Sequence, residues 1–222
     1  MASNKRKYIK LTSPIGVAKY PWLNEPDIKF NPDGEYRTSL LLDPNEAADF
    51  LSELDQLADE AVAKAKEDLN DKGKGALAKK VTRKEPYIME ADQETGEETG
   101  KVEVRFKLKA LIKTKKGKEL RFTPALFDSQ GKPLNKDISI YGGSEIRVNF
   151  TPMSYYVPST KMAGVTLQIN AVQVIKLVTN GGGDADSFGF GVVEGGYQQP
   201  NEEEPQEAFA ADSVEEEDET DF

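Results

Sequence analysis

A mainly β fold, a small closed or nearly closed barrel carrying one packed α-helix, is predicted by three features of the sequence. Short alternating apolar and polar runs recur between turn residues over 8–42 and again over 86–178. One run with helical period interrupts them at about 44–69, and neither period continues past residue 180. Of the 222 residues 37% are hydrophobic and 31% charged, against roughly 45–50% apolar and about 25% charged in a typical globular chain. Part of the chain is therefore expected to build a core (1–180) and part to be a solvated appendage (181–222).

The first elements are extended. YIKL, IGVAKYPWL and EYRTSLLL are rich in β-branched, aromatic and aliphatic residues, and turn signals separate them at Ser13-Pro14, Asn24-Glu25-Pro26 and Asn31-Pro32-Asp33-Gly34. In the third run Tyr36, Thr38 and Leu40 share one face, and Arg37, Ser39 and Leu41 the other. Asp43-Pro44 then reads as a helix start, a capping carboxylate followed by proline in the first turn. Behind it Phe50, Leu51, Leu54, Leu57, Ala61, Ala65 and Leu69 recur at three- and four-residue steps, which predicts one amphipathic helix lying on a core. DKGKGALAKK reads as a loop.

From residue 86 the period of two returns. Val102, Val104, Phe106 and Leu108 alternate with Lys101, Glu103, Arg105, Lys107 and Lys109, and a turn at Lys116-Gly117 makes 101–127 read as a hairpin. A turn over Asp128–Pro133 precedes a short strand near Ile138–Tyr141; Gly142-Gly143 introduces SEIRVNF, and Gly164 opens VTLQINAVQVIKLV. Phe106, Phe122 and Phe150 are expected to fill the barrel. Residues 181–222 begin with three glycines and end in NEEEPQEAFAADSVEEEDETDF. With charge of one sign and few aliphatics, this stretch buries too little to offset ordering entropy and is expected to be disordered.

Chemistry is narrowed by what is missing. The chain has neither Cys nor His, which excludes disulfides, thiolate or imidazole metal sites, a Cys nucleophile and a His base. No carboxylates stand at metal-ligand spacing, no phosphate-cradling glycine loop follows a strand, and nothing singles out a catalytic pair. No enzyme, cofactor or metal is expected. MASNKRKYIK lacks the apolar run of a secretory signal, and no segment approaches the ~18 apolar residues that span a bilayer. A soluble protein of the cell interior, without a membrane partner, is the expectation.

Charge points to a polyanion. The net charge is −10, yet 181–222 hold 14 acidic residues and no basic one, so 1–180 carry +4; residues 101–121 alone carry nine basic and two acidic residues. Arg105, Lys107 and Lys109 on one strand face put cations about 7 Å apart, near the phosphate spacing of an extended single strand. Aromatic residues sit close by: Tyr20 and Trp22 beside Lys19, Tyr36 beside Arg37, and Tyr155-Tyr156 ahead of Lys161. Cationic groove and stacking ring are the two elements of single-strand binding. Tyr155 and Tyr156 must point to opposite faces, so at most one is core. A tethered polyanion competes with DNA for such a groove, and the terminal Phe222 adds an apolar anchor for a basic partner. The same features fit surface lysines that only keep the chain dissolved, an acidic-tailed chaperone or scaffold for basic partners, or a carboxylate-metal nuclease.

YGGSEIRVNF, AGVTLQINAVQVIKLV, the glycine triplet and an acidic tail ending Asp-Phe resemble the single-stranded-DNA-binding proteins of T-seven-like bacteriophages. NPDGEYRTSL, the helix behind it, VRFKLKA and LFDSQGKPL extend the resemblance over nearly the whole chain. It implies an OB-fold-like five-stranded barrel bearing a helix and binding single strands without sequence specificity. It implies service in replication, recombination and repair in the cytoplasm of the infected bacterium, with removal of secondary structure and annealing of complementary strands. It also implies homodimers, and a tail that contacts the phage DNA polymerase and primase-helicase through Glu215, Glu216, Glu217, Asp218, Glu219, Asp221 and Phe222. By position the binding residues correspond to Lys5, Arg105, Lys107, Arg147 and Tyr155; Trp22, Arg37, Lys109, Tyr156 and Lys161 complete the candidate set. Asp33 stands where the pattern has a base, with Arg37 as replacement; Tyr156, Val157 and Asn149 replace a Lys, a Trp and a Lys. Fewer charges and more stacking should flatten the salt dependence. Arg105, Lys107 and Arg147 are expected to share one cleft with a ring among them.

Overall fold

A computed structural model describes residues 9–178 apart from 30, 93, 115, 116 and 136. Lys5, the tail residues 215–222 and the boundary at 180/181 lie outside the described residues.

Among the described residues, eleven strands and two helices follow one another as β1 (Leu11–Thr12), β2 (Gly16–Asp27), β3 (Glu35–Leu42), α1 (Ala48–Asp71), α2 (Gly75–Ala78), β4 (Thr82–Arg83), β5 (Tyr87–Ala91), β6 (Glu98–Lys109), β7 (Leu111–Lys113), β8 (Glu119–Arg121), β9 (Ala125–Phe127), β10 (Glu145–Val157) and β11 (Met162–Lys176). Five of them close a ring. β2 pairs antiparallel with β3, β3 with β6, β10 with β11 and β10 with β2, while β6 and β11 run parallel. One parallel seam in an otherwise antiparallel five-strand ring is the Greek-key barrel arrangement expected of an OB-fold. Two seams are short. β10 meets β2 only at Glu145–Val17 and Ile146–Gly16, and β6 meets β11 only at Phe106–Leu167 and Lys107–Gln168. The ring is closed but not a uniform barrel, and β5, β9, β1 and β4 extend its edges.

The inward faces are those that alternation assigns. Val102, Val104, Phe106 and Leu108 of β6 are buried with Tyr36 and Leu40 of β3. Phe150 sits at the centre, edge-on to Phe106 at 5.3 Å and to Phe50 of α1 at 6.1 Å between ring centroids. α1 applies Phe50, Leu51 and Leu54 to this core, and farther along Ala65 and Leu69 close a smaller cluster with Ala78, Val81 and Ala163, against which Tyr156 packs.

Several local expectations need correction. The Asp43 carboxylate does cap, accepting from the Asn45 and Glu46 amides at 2.8 and 3.3 Å, but it closes a turn over 44–47, so α1 starts at Ala48. The helix runs on to Asp71 and ends where Gly73 takes φ 70°. The loop after it contains the short α2. The stretch 101–127 is not a single hairpin: the chain breaks at Ala110, β7 and β8 pair as a separate two-stranded sheet, and β9 joins β11 in parallel. Phe122 consequently lies outside the barrel and is exposed. Residues 138–141 form no strand; instead the Asn24 side chain accepts from the Ile140 amide at 3.0 Å and donates to the Ile138 carbonyl at 2.6 Å. Asn24-Glu25-Pro26 is correspondingly not a turn but lies within β2, whose pairing with β3 is interrupted by bulges.

Candidate nucleic-acid interface

Register across the barrel wall decides which cations meet. On the outer face, Trp22 of β2 stands opposite Arg37 of β3, Arg37 opposite Lys107 of β6, and Lys107 opposite Gln168 of β11. A second row joins Lys19, Ser39 and Arg105, and a third Asp27, Glu35 and Lys109. Neighbouring strands lie about 4.8 Å apart, so Trp22, Arg37 and Lys107 occupy about 10 Å of continuous surface.

Beside these rows lies a groove of about 670 Å³, lined on the β6 side by Arg105, Lys107 and Lys109 and on the other by Tyr155 of β10, with Lys84 and Tyr87 also among its lining residues. Tyr155 faces Gly164 across the hairpin. A Cβ built on Gly164 would lie 3.1 Å from Tyr155 Oη and 3.0 Å from Lys84 Cβ, so the missing side chain is what lets the ring lie against β11.

Most of these cations already have acidic neighbours. Arg37 holds the nearly buried Asp27 at 2.5 Å, Lys107 lies 3.7 Å from Glu35, and Lys113 lies 3.2 Å from Asp33. Arg105 Nε donates to Glu103 at 2.7 Å; Glu103 also accepts from Ser39 Oγ at 2.9 Å and lies 3.6 Å from Lys19. Lys19 in turn donates to Glu90 at 2.9 Å, and Glu90 accepts from Thr99. Burial opposes ionisation of Glu103, but the hydrogen bonds from Arg105 and Ser39 and the charges of Arg105 and Lys19 outweigh it and hold the carboxyl below its usual range. The bond to Glu90 raises Lys19 against the effect of burial. Lys109 enters no ion pair among the described residues.

The candidates are thus only partly brought together. Arg105, Lys107, Lys109 and Tyr155 share the groove, and Arg37 and Trp22 continue its face. Arg147 does not join them: it pairs with Gln173, five residues along β11 from the Lys107 partner Gln168, and donates to the Gln173 side chain at 2.8 Å. It borders a separate hollow with Thr12, Phe127 and Asn149. Tyr156 points to the opposite face, into the α1 cluster. Lys161 sits in the β10–β11 turn with φ 58°. Sequence reading overlooked Lys84 and Tyr87, although RKEPY repeats the base-beside-aromatic signal used elsewhere. It also gave no sign that Glu35 and Glu103 would line the same groove, because their partners come from cross-strand register and from ion pairing within β6.

The family model described as single-stranded DNA-binding protein of bacteriophage T7 matches residues 15–177. The chain belongs to that family of phage single-stranded DNA-binding proteins. It is 31% identical over 217 residues to the single-stranded DNA-binding protein of Enterobacteria phage T3, covering 89% of this chain and 88% of the relative. It is 30% identical over 200 residues to that of Escherichia phage T7, covering 84% and 83%. The crystal structure of gp2.5, a single-stranded DNA-binding protein encoded by bacteriophage T7, superposes with a TM-score of 0.61 at 26% identity, over 87% of this chain and all of that one.

Proposed function

We propose that this protein coats single-stranded DNA without sequence preference, acting by binding rather than by catalysis, and that the β3–β6 outer face with the Tyr155 groove is the binding surface. The observation that carries this reading is the meeting of Arg105, Lys107 and Tyr155 in one groove: cations track the phosphates while a ring offers a stacking platform that any base can use. Family membership supports the same ligand. Covering unpaired bases would remove secondary structure and present complementary strands for annealing, in replication, recombination and repair within the infected host cytoplasm. The acidic segment 202–222, with its terminal Phe222, would recruit the phage polymerase and primase-helicase, and its carboxylates disfavour a polyanion bound to the same chain. A homodimer completes the reading. Among the described residues no helix is long and apolar enough to cross a membrane.

The test is titration of the single tryptophan, Trp22, with oligo-dT and with duplex of equal length at several salt concentrations, on the full chain and on a chain lacking 202–222. Binding of oligo-dT over duplex, tighter after truncation and accompanied by loss of polymerase association, is the expected result. No binding at low salt would overturn the reading; capture of basic proteins by the segment instead would favour a chaperone.

A further inference from the structure

Tyr20 has φ 50°, in the left-handed region that bulky side chains rarely adopt and glycine or asparagine enters freely. It sits in a bulge of β2: Lys19 is opposite Ser39 and Trp22 opposite Arg37, so three steps on β2 match two on β3. The extra residue lets both Lys19 and Trp22 face outward and leaves Tyr20 between them. Burial does not compensate for the strain, since the residue is 56% exposed. The Lys19 ammonium lies 5.7 Å from the ring centroid and is itself tied to Glu90 at 2.9 Å, which holds the ring on the outer surface. A large, exposed, cation-braced ring in a backbone conformation suited to glycine is the pattern of strain kept for a binding role.

We propose that Tyr20 is a base-stacking residue for single-stranded nucleic acid, at the edge of the cationic face remote from Tyr155. The inference rests on the binding face described above. β2 lies two strands from β6, about 10 Å across the wall, so Arg37, Arg105 and Lys107 are flanked by Tyr20 and Trp22 on one side and by Tyr155 on the other. An unpaired nucleobase is the ligand; a paired one offers no free face.

The test compares Tyr20→Gly and Tyr20→Phe with the parent for oligo-dT affinity at several salt concentrations and for thermal midpoint. Tyr20→Gly should weaken binding roughly 5- to 100-fold, the effect of losing one stacked base, with the salt slope unchanged because no phosphate contact is lost. Its midpoint should equal or exceed the parent's, since glycine accepts φ 50° without strain. Tyr20→Phe should bind as the parent does. An unchanged affinity, a changed slope or a lowered midpoint in Tyr20→Gly would overturn the proposal while leaving the binding face intact. Failure of the parent itself to bind oligo-dT would remove the binding face, and the Tyr20 assignment with it.

Discussion

Tyr155 and Gly164 face each other across the β10–β11 hairpin, and the tyrosine ring occupies the room that a side chain at 164 would need. Glycine in a strand weakens it locally and marks a close approach. Here that approach lays an aromatic ring along one wall of the groove whose other wall carries Arg105 and Lys107.

Gly164→Val should therefore weaken oligo-dT binding by about 1–3 kcal/mol, close to the effect of Tyr155→Ala, because both remove the same stacked base. Combined, the two substitutions should cost little more than either alone. Trp22 fluorescence titration of the four proteins checks this; full additivity would separate the glycine from the ring.

Glu35→Gln should strengthen binding. The carboxylate lies 3.7 Å from Lys107, which is half exposed, so each phosphate arriving at Lys107 meets a competing anion. Exposed pairs of this kind are worth up to about 1 kcal/mol, and the gain should come with a steeper salt slope. Glu60→Gln on α1, which makes no ion pair among the described residues, removes the same charge and should change affinity less.

Stability should fall on the acid side through Glu103. Its carboxyl is held below the usual value of about 4.3, so its contribution is complete above that value and is lost as pH drops through the lower, folded-state one. Glu103→Gln should be less stable at neutral pH, by about 1–3 kcal/mol, and should show a shallower loss on acidification. Urea midpoints from pH 3 to 7 measure both.

Phe150→Ala should destabilise by about 3–5 kcal/mol in the same urea experiment, since Phe150 is fully buried between Phe50 and Phe106. Phe122→Ala should change the midpoint little, its ring being outside the barrel.

Which parts of this architecture were legible follows from how far apart in sequence the deciding contacts lie. The face of each β6 residue is fixed by its own neighbours, so Val102 to Leu108 could be assigned inward directly. Pro26 reads as a turn because proline usually ends strands, whereas β2 runs on through it and pairs again with β3 at Asp27–Glu35. The family resemblance assigns Arg147 to the same cleft as Arg105, but pairing along β11 sets Arg147 at Gln173, away from Gln168 opposite Lys107. Asp27 and Glu35 look like solvated charges until pairing brings Arg37 and Lys107 beside them.

The most direct test is the salt dependence of oligo-dT binding for the parent and for Arg105→Ala/Lys107→Ala. Each phosphate contact contributes a log–log slope of about −0.7 on single strands, so loss of both cations should make the slope shallower by up to about 1.4 and weaken binding at low salt. Identical slopes and affinities in the two proteins would place the DNA elsewhere on the molecule.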